Sequence, residues 1–86
     1  MSTEILFESR DLTISTNAIV HHGKKIPITS VNKWGSSSKH MKDPDYVSIY
    51  IETGFIFTEE IQLAICKISE TEYELIAKAL NRALAD

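Results

Sequence analysis

The sequence predicts an α+β domain in which a run of short strands, joined largely by tight turns, is closed by one C-terminal helix. Three observations carry this. Period-two alternation of apolar and polar residues recurs over the first two-thirds of the chain, broken by Gly, Asn and Asp-Pro turn signals. Near residue 69 the apolar spacing changes to that of a helix. No repeat, low-complexity tract or linker interrupts the 86 residues, so residues 1–86 read as one domain, with strands within about 3–68 and the helix over about 70–85.

LTIST (Leu12–Thr16) alternates so that Leu12 and Ile14 share one face, and Asn17 supplies a turn. AIVHH runs to Gly23, and Gly-Lys-Lys is the next turn, because glycine reaches positive φ at little cost. In KIPIT, Pro27 has no N–H to give to a ladder, which places the segment at a sheet edge, a strand end or a bulge. SVNKW follows, with Val31 directed inward, and Gly35 to Asp45 is polar and reads as a loop. YVSIYIET (Tyr46–Thr53) is the clearest strand: Val47, Ile49 and Ile51 on one face, Tyr46, Ser48, Tyr50 and Glu52 on the other. A turn at Thr53-Gly54, with a competing one at Thr58 to Glu60, leads into FIFTEEIQLAICKI (Phe55–Ile68), which supplies one bent strand or two short ones. Its later part is apolar on both faces, as a central or helix-covered strand would be. In the final segment Ser69 and Glu72 have capping-box spacing, and Tyr73, Ile76, Ala77, Leu80 and Leu84 form one apolar stripe.

Composition narrows the function classes. A hydrophobic content of 43% with 24% charged residues is that of an ordinary globular domain and argues against disorder. A lone cysteine, Cys66, has no internal disulfide partner and sits in an apolar run, so it reads as a small core side chain in a reducing compartment. The N-terminal segment carries acids where a signal peptide would be apolar, and no stretch approaches membrane-span length. The expected location is the cytoplasm.

Charge is unevenly placed. Residues 1–11 carry −2, residues 12–42 carry +5 with no acid at all, and residues 43–86 carry −6. Such asymmetry marks an interaction surface unless folding sets the two blocks side by side to neutralise each other; the pattern leaves both open.

Two segments resemble a known family. LTISTNAIVHHGKKIPITSVNKW resembles the opening of short bacterial pleckstrin-homology-like domains, in which a strand leads into a hairpin of the form Gly-Lys, apolar-Pro-apolar, polar pair, Val. ISETEYELIAKALNRALAD resembles their closing strand and helix. The resemblance covers nearly the whole chain. It implies a strongly bent antiparallel sheet, or partly open barrel, with the helix packed over one open end. It also implies a binding platform of unassigned function rather than a catalyst. The chain departs from lipid-binding members of that fold in being shorter and in lacking an arginine-containing basic run in the first hairpin.

The chemistry-bearing residues point the same way. His21, His22 and His40 lack ligand spacing, and adjacent histidines on a strand diverge, so no metal is expected. Ser36, Ser37 and Ser38 beside Lys39 and His40 form no nucleophile elbow, and three glycines leave no phosphate-binding loop. Neither an enzyme nor a cofactor is expected. What remains is a binding surface made of Lys24, Lys25, Lys33, Trp34, Lys39, His40 and Lys42. The expectation is a non-catalytic protein-interaction module (an adaptor, an accessory regulator or an immunity-type inhibitor) that steers an acidic partner with its lysines and anchors it with Trp34. Its opposed acidic and basic halves also suit a homodimer. The alternative is an anionic-ligand or nucleic-acid binder using the same residues, against which stand an overall pI near 5.5 and the absence of arginine from the segment.

Overall fold

The computed structural model describes residues 3–39 and 41–85. Among these residues seven strands precede one helix: β1 (Ile5–Glu8), β2 (Leu12–Ser15), β3 (Ala18–His21), β4 (Lys24–Pro27), β5 (Val31–Ser37), β6 (Tyr46–Thr53), β7 (Glu59–Lys67) and α1 (Thr71–Leu84). All pairings are antiparallel between sequence neighbours. They form two sheets, β1-β2-β3-β4 and β5-β6-β7. The strands are therefore divided, not joined into the single bent sheet or partly open barrel that the resemblance implies. The division falls at Pro27, which ends β4 and is followed by a 3-10 turn over Ile28–Ser30. Pro27 pairs with Ala18, and the Ile28 N–H still donates to the Asn17 carbonyl one residue further on; the N–H that Pro27 lacks would face the free edge of β4, so no donor is offered there to a further strand.

Most elements follow their sequence pattern. Leu12 and Ile14 of β2 are buried, as are Val47, Ile49 and Ile51 of β6, which spans Tyr46–Thr53 as expected. Three readings change and one strand is added. The β3–β4 turn is a two-residue loop, His22-Gly23, not Gly-Lys-Lys. Both residues have positive φ, 48° and 81°, which suits the right-handed twist of the flanking strands. Gly35 to Ser37 belong to β5, so the loop is Ser38 to Asp45. ILFE, which shows no alternation, is a strand, β1, at the edge of the four-stranded sheet. The capping box does not form: α1 starts at Thr71 with Glu70 at the N-cap and no side-chain cap bond.

β7 also departs from its pattern. It is one strand, but an edge strand, which α1 touches. Its register against β6 moves from Ile49↔Ala64 to Tyr50↔Gln62, leaving Leu63 as an extra residue. This bulge shifts the inward phase: Leu63 and Cys66 are both buried, while Ile65 between them is turned to solvent. The apolar character of both faces is thus the mark of a bulge, not of a central strand.

The fully buried side chains are Ile14 and Ile19 from one sheet, Ile49 and Ile51 from the other, and Ile76 and Leu80 from α1. One core is shared by both sheets and the helix, and burying each such side chain contributes about 1.5–3 kcal/mol. Polar ties reinforce it. The Trp34 indole N–H donates to Asn81 Oδ1 at 2.9 Å, the Ser36 and Tyr73 hydroxyls share a bond at 3.3 Å, and Arg82 meets Glu4 at 2.8 Å. Leu80→Asp would bury a charge with no partner, at a cost of several kcal/mol, comparable to the whole stability of a domain this small. The expected outcome is loss of cooperative thermal unfolding in circular dichroism; a melt like that of the parent would refute the packing of α1 through Leu80.

Candidate functional site

The outer face of the three-stranded sheet carries the candidate site. The registers of β5, β6 and β7 set its rows: Lys33, Glu52 and Glu60; then Gly35, Tyr50 and Gln62; then Ser37, Ser48 and Ile65. Each row is one residue from each strand, with side chains leaving on the face opposite Ile49 and Ile51. Ser48 Oγ donates to Gln62 Oε1 at 3.0 Å. The Tyr50 side chain lies across Gly35, where a Cβ would stand 2.6 Å from the phenol oxygen; the missing side chain of Gly35 is what lets the ring lie flat on the sheet.

The β5–β6 loop turns this face into a groove. Lys39 and Met41 come from the loop and meet Ser37, Ser48, Tyr50, Glu60 and Gln62 around a volume of about 440 Å³. The loop is shaped locally: the Lys39 N–H donates to Ser37 Oγ, the Met41 N–H to the Ser38 carbonyl and the Asp45 N–H to Asp43 Oδ1. The groove therefore offers hydroxyl and amide groups along its floor, an aromatic ring, and one cation and one anion from opposite sides.

The residues expected from the sequence are only partly gathered here. Lys39 lines the groove, and Lys33 and Lys42 are exposed on the same sheet or its loop. Lys33 sits directly across from Glu52. Lys24 and Lys25 are exposed at the start of β4, in the other sheet. Trp34 is half-buried, packs against the core and has its N–H held by Asn81, so it is a helix-docking residue in this structure. His40 lies outside the described residues. Gln62 and Met41 were not singled out by sequence reasoning, and Glu60 read only as part of a solvated turn, whereas it lies in β7. Alternation alone puts Ser48 and Tyr50 outward, but matching Gln62 to Tyr50 depends on the Leu63 bulge, which leaves no signal in the residue pattern.

Away from the groove, two titratable groups are shifted by their surroundings: His21, in a small cluster at the β3–β4 turn, and the Cys66 thiol. The His21 and His22 rings lie 4.2 Å apart, edge to face, and do not diverge, because the positive φ of His22 breaks strand alternation. His22 Nδ1 is 3.9 Å from Asp11 Oδ1, and the His22 N–H donates to the Asp11 carbonyl. Burial, and then the neighbouring His22, lower the pKa of His21 from the usual 6.5, while Asp11 opposes them. Cys66 is buried, and that burial, with the nearby charges of Glu72 and Glu70, raises its thiol pKa, the reverse of what a nucleophile needs. Among the described residues no group of three or more His, Cys, Asp or Glu is placed to hold a metal ion, and no helix is long and apolar enough to cross a membrane.

No protein-family model matches this chain, and no curated protein or solved structure matches it with significance.

Because the folded state holds His21 more readily neutral than the unfolded state does, protonation favours unfolding. The stability that His21 contributes is complete above its unfolded value of about 6.5 and falls as the pH drops below it, until the folded-state pKa has been passed. Replacing His21 with Gln should flatten this fall, measured as the difference between urea midpoints at neutral and mildly acidic pH; an identical fall in the variant would assign it to carboxylates instead.

Proposed function

We propose that this chain is a non-catalytic protein-interaction module of pleckstrin-homology-like architecture, and that its partner binds on the outer face of the β5–β6–β7 sheet. The architecture is supported by the element order: a four-stranded and a three-stranded antiparallel sheet followed by one closing helix. The observation that carries the binding surface is the groove itself, in which Tyr50 lies flat among Ser37, Ser48 and Gln62 with Lys39 at its rim. A flat aromatic ring surrounded by hydroxyl and amide groups is the composition of a protein-interface anchor, since it contributes large contact area at low entropic cost. Lys39 and the exposed Lys42 favour an acidic segment in the partner and accelerate its encounter.

Protein recognition is favoured over nucleic acid by the state of Trp34. Its ring is packed against the core and its N–H is engaged by Asn81, so it presents no free stacking platform beside the lysines.

The test begins with affinity capture from the source cell in the presence of nuclease, followed by kinetics on the partner recovered. Lys39→Glu with Lys42→Glu should slow association at low salt by about tenfold and change thermal stability little, and Tyr50→Ala should speed dissociation. Lys24→Glu with Lys25→Glu, on the other sheet, reports whether the hairpin lysines share the surface. Association and dissociation unchanged in all three variants would place the partner elsewhere on the molecule.

A further inference from the structure

The β6–β7 hairpin ends in three consecutive large apolar residues, and all three stand in solvent: Phe55 is 97% exposed, Ile56 80% and Phe57 89%. Single exposed apolar residues are common on protein surfaces, whereas an uninterrupted apolar run at the end of a hairpin carries a solvation cost that no contact within the fold offsets. The exposure is built in. Thr53↔Glu59 is the last pair of the ladder, and the chain then leaves β6 through Gly54 at φ 103°, a conformation side chains rarely adopt. The Phe57 carbonyl oxygen sits where a Cβ on Gly54 would be. Asn32, the extra residue of the β5 bulge, donates from its side-chain nitrogen to the Gly54 carbonyl at 2.7 Å and pins the base of the loop. The backbone thus holds the tip away from the core, and none of the three side chains packs against it.

We propose that this tip is a membrane-interface anchor: Phe55, Ile56 and Phe57 enter the headgroup–acyl boundary of an electrically neutral, zwitterionic bilayer. The inference is independent of the groove described above. Three considerations select this occupant. A second copy of the chain is disfavoured by charge, because Glu52, Glu59 and Glu60 flank the stem of the loop against one cation, Lys33 across from Glu52, and a tip-to-tip contact would bring two such net-negative sets together. A protein cleft is disfavoured by size: three side chains of this kind offer about 500 Å² together, short of the roughly 800 Å² that a partner contributes to a stable interface. A bilayer surrounds an inserted tip on every side and needs no matching shape, which suits three side chains that are all exposed and share no shielding neighbour. The acidic stem then selects the lipid, since carboxylates beside the inserted residues are repelled by anionic headgroups and tolerated by zwitterionic ones.

Phosphatidylcholine vesicles are the probe. In the full chain, Phe55→Trp places a reporter at the tip. Its emission should shift to the blue as vesicles are added, with half-saturation at about millimolar lipid for a two-Phe, one-Ile insertion. Wild-type protein should co-sediment with the same vesicles, and Phe55→Ser with Phe57→Ser should lower the bound fraction by about tenfold or more. The two phenylalanines touch no core residue, so circular dichroism and the melting temperature of the double variant should match wild type. Replacing part of the phosphatidylcholine with phosphatidylserine should weaken binding. The proposal is overturned by absence of both the blue shift and co-sedimentation, by retention of binding in the double variant, or by binding that rises with phosphatidylserine, which would assign it to the lysines. Self-association of the wild type that disappears in the double variant would overturn it too, by making a second copy the occupant. Loss of partner binding in the Lys39 and Tyr50 variants with vesicle binding intact would separate the two surfaces.

Discussion

The contact between α1 and the two sheets is the one on which the rest of the molecule depends. Sheets of four and three short strands each have an apolar face to bury, and neither is covered by the chain that forms it. Ile76 and Leu80 reach the core that Ile14, Ile19, Ile49 and Ile51 share, and the helix touches β1, β2, β5 and β7. A single 14-residue helix thereby closes a core that the strands leave open. The polar ties at its rim fix its rotation more than they add stability: Trp34 to Asn81, Ser36 to Tyr73 and Arg82 to Glu4 are all exposed at their polar ends.

Placing the helix on the inner side has a functional consequence. It leaves the outer face of β5–β6–β7 bare, and that face is where polar side chains are aligned by register. The groove is the product of three local facts acting together: the absent side chain of Gly35, the ring of Tyr50 that lies over it, and a loop that carries Lys39 and Met41 back across the sheet. At the end of the same two strands the β6–β7 loop is pinned open by Asn32 and Gly54. The three-stranded sheet carries both unusual surfaces, while the four-stranded sheet mainly supplies core and the exposed Lys24-Lys25 hairpin.

Much of the fold was legible in the residues because short-range rules suffice for it. The alternation in Tyr46–Thr53 assigned both faces of β6, and the stripe through Ile76 and Leu80 assigned the buried side of α1. The errors came where two rules compete or where a partner strand decides. Ser69 had the residue type for a cap, but the chain remains in a turn until Glu70. Phe55 to Phe57 have strand-forming side chains, yet Gly54 holds them outside the ladder. In the site, Ser48 and Tyr50 were readable as outward-facing; that Gln62, Glu60 and Met41 join them was not, since cross-strand pairing and the Leu63 bulge are properties of two chains segments brought together.

The sequence by itself determined the class of the molecule, its strand-then-helix order, the composition of its core and the reversal of charge between its segments, because periodicity, turn chemistry and charge are written residue by residue. Tertiary structure alone decided that the strands divide into two sheets at Pro27, that Trp34 docks a helix, that the lysines of residues 24–42 separate onto two sheets, and that three apolar residues stand in water at a hairpin tip. Each of these depends on which backbone groups find partners across the fold, and that is a property of contacts between residues distant in the chain.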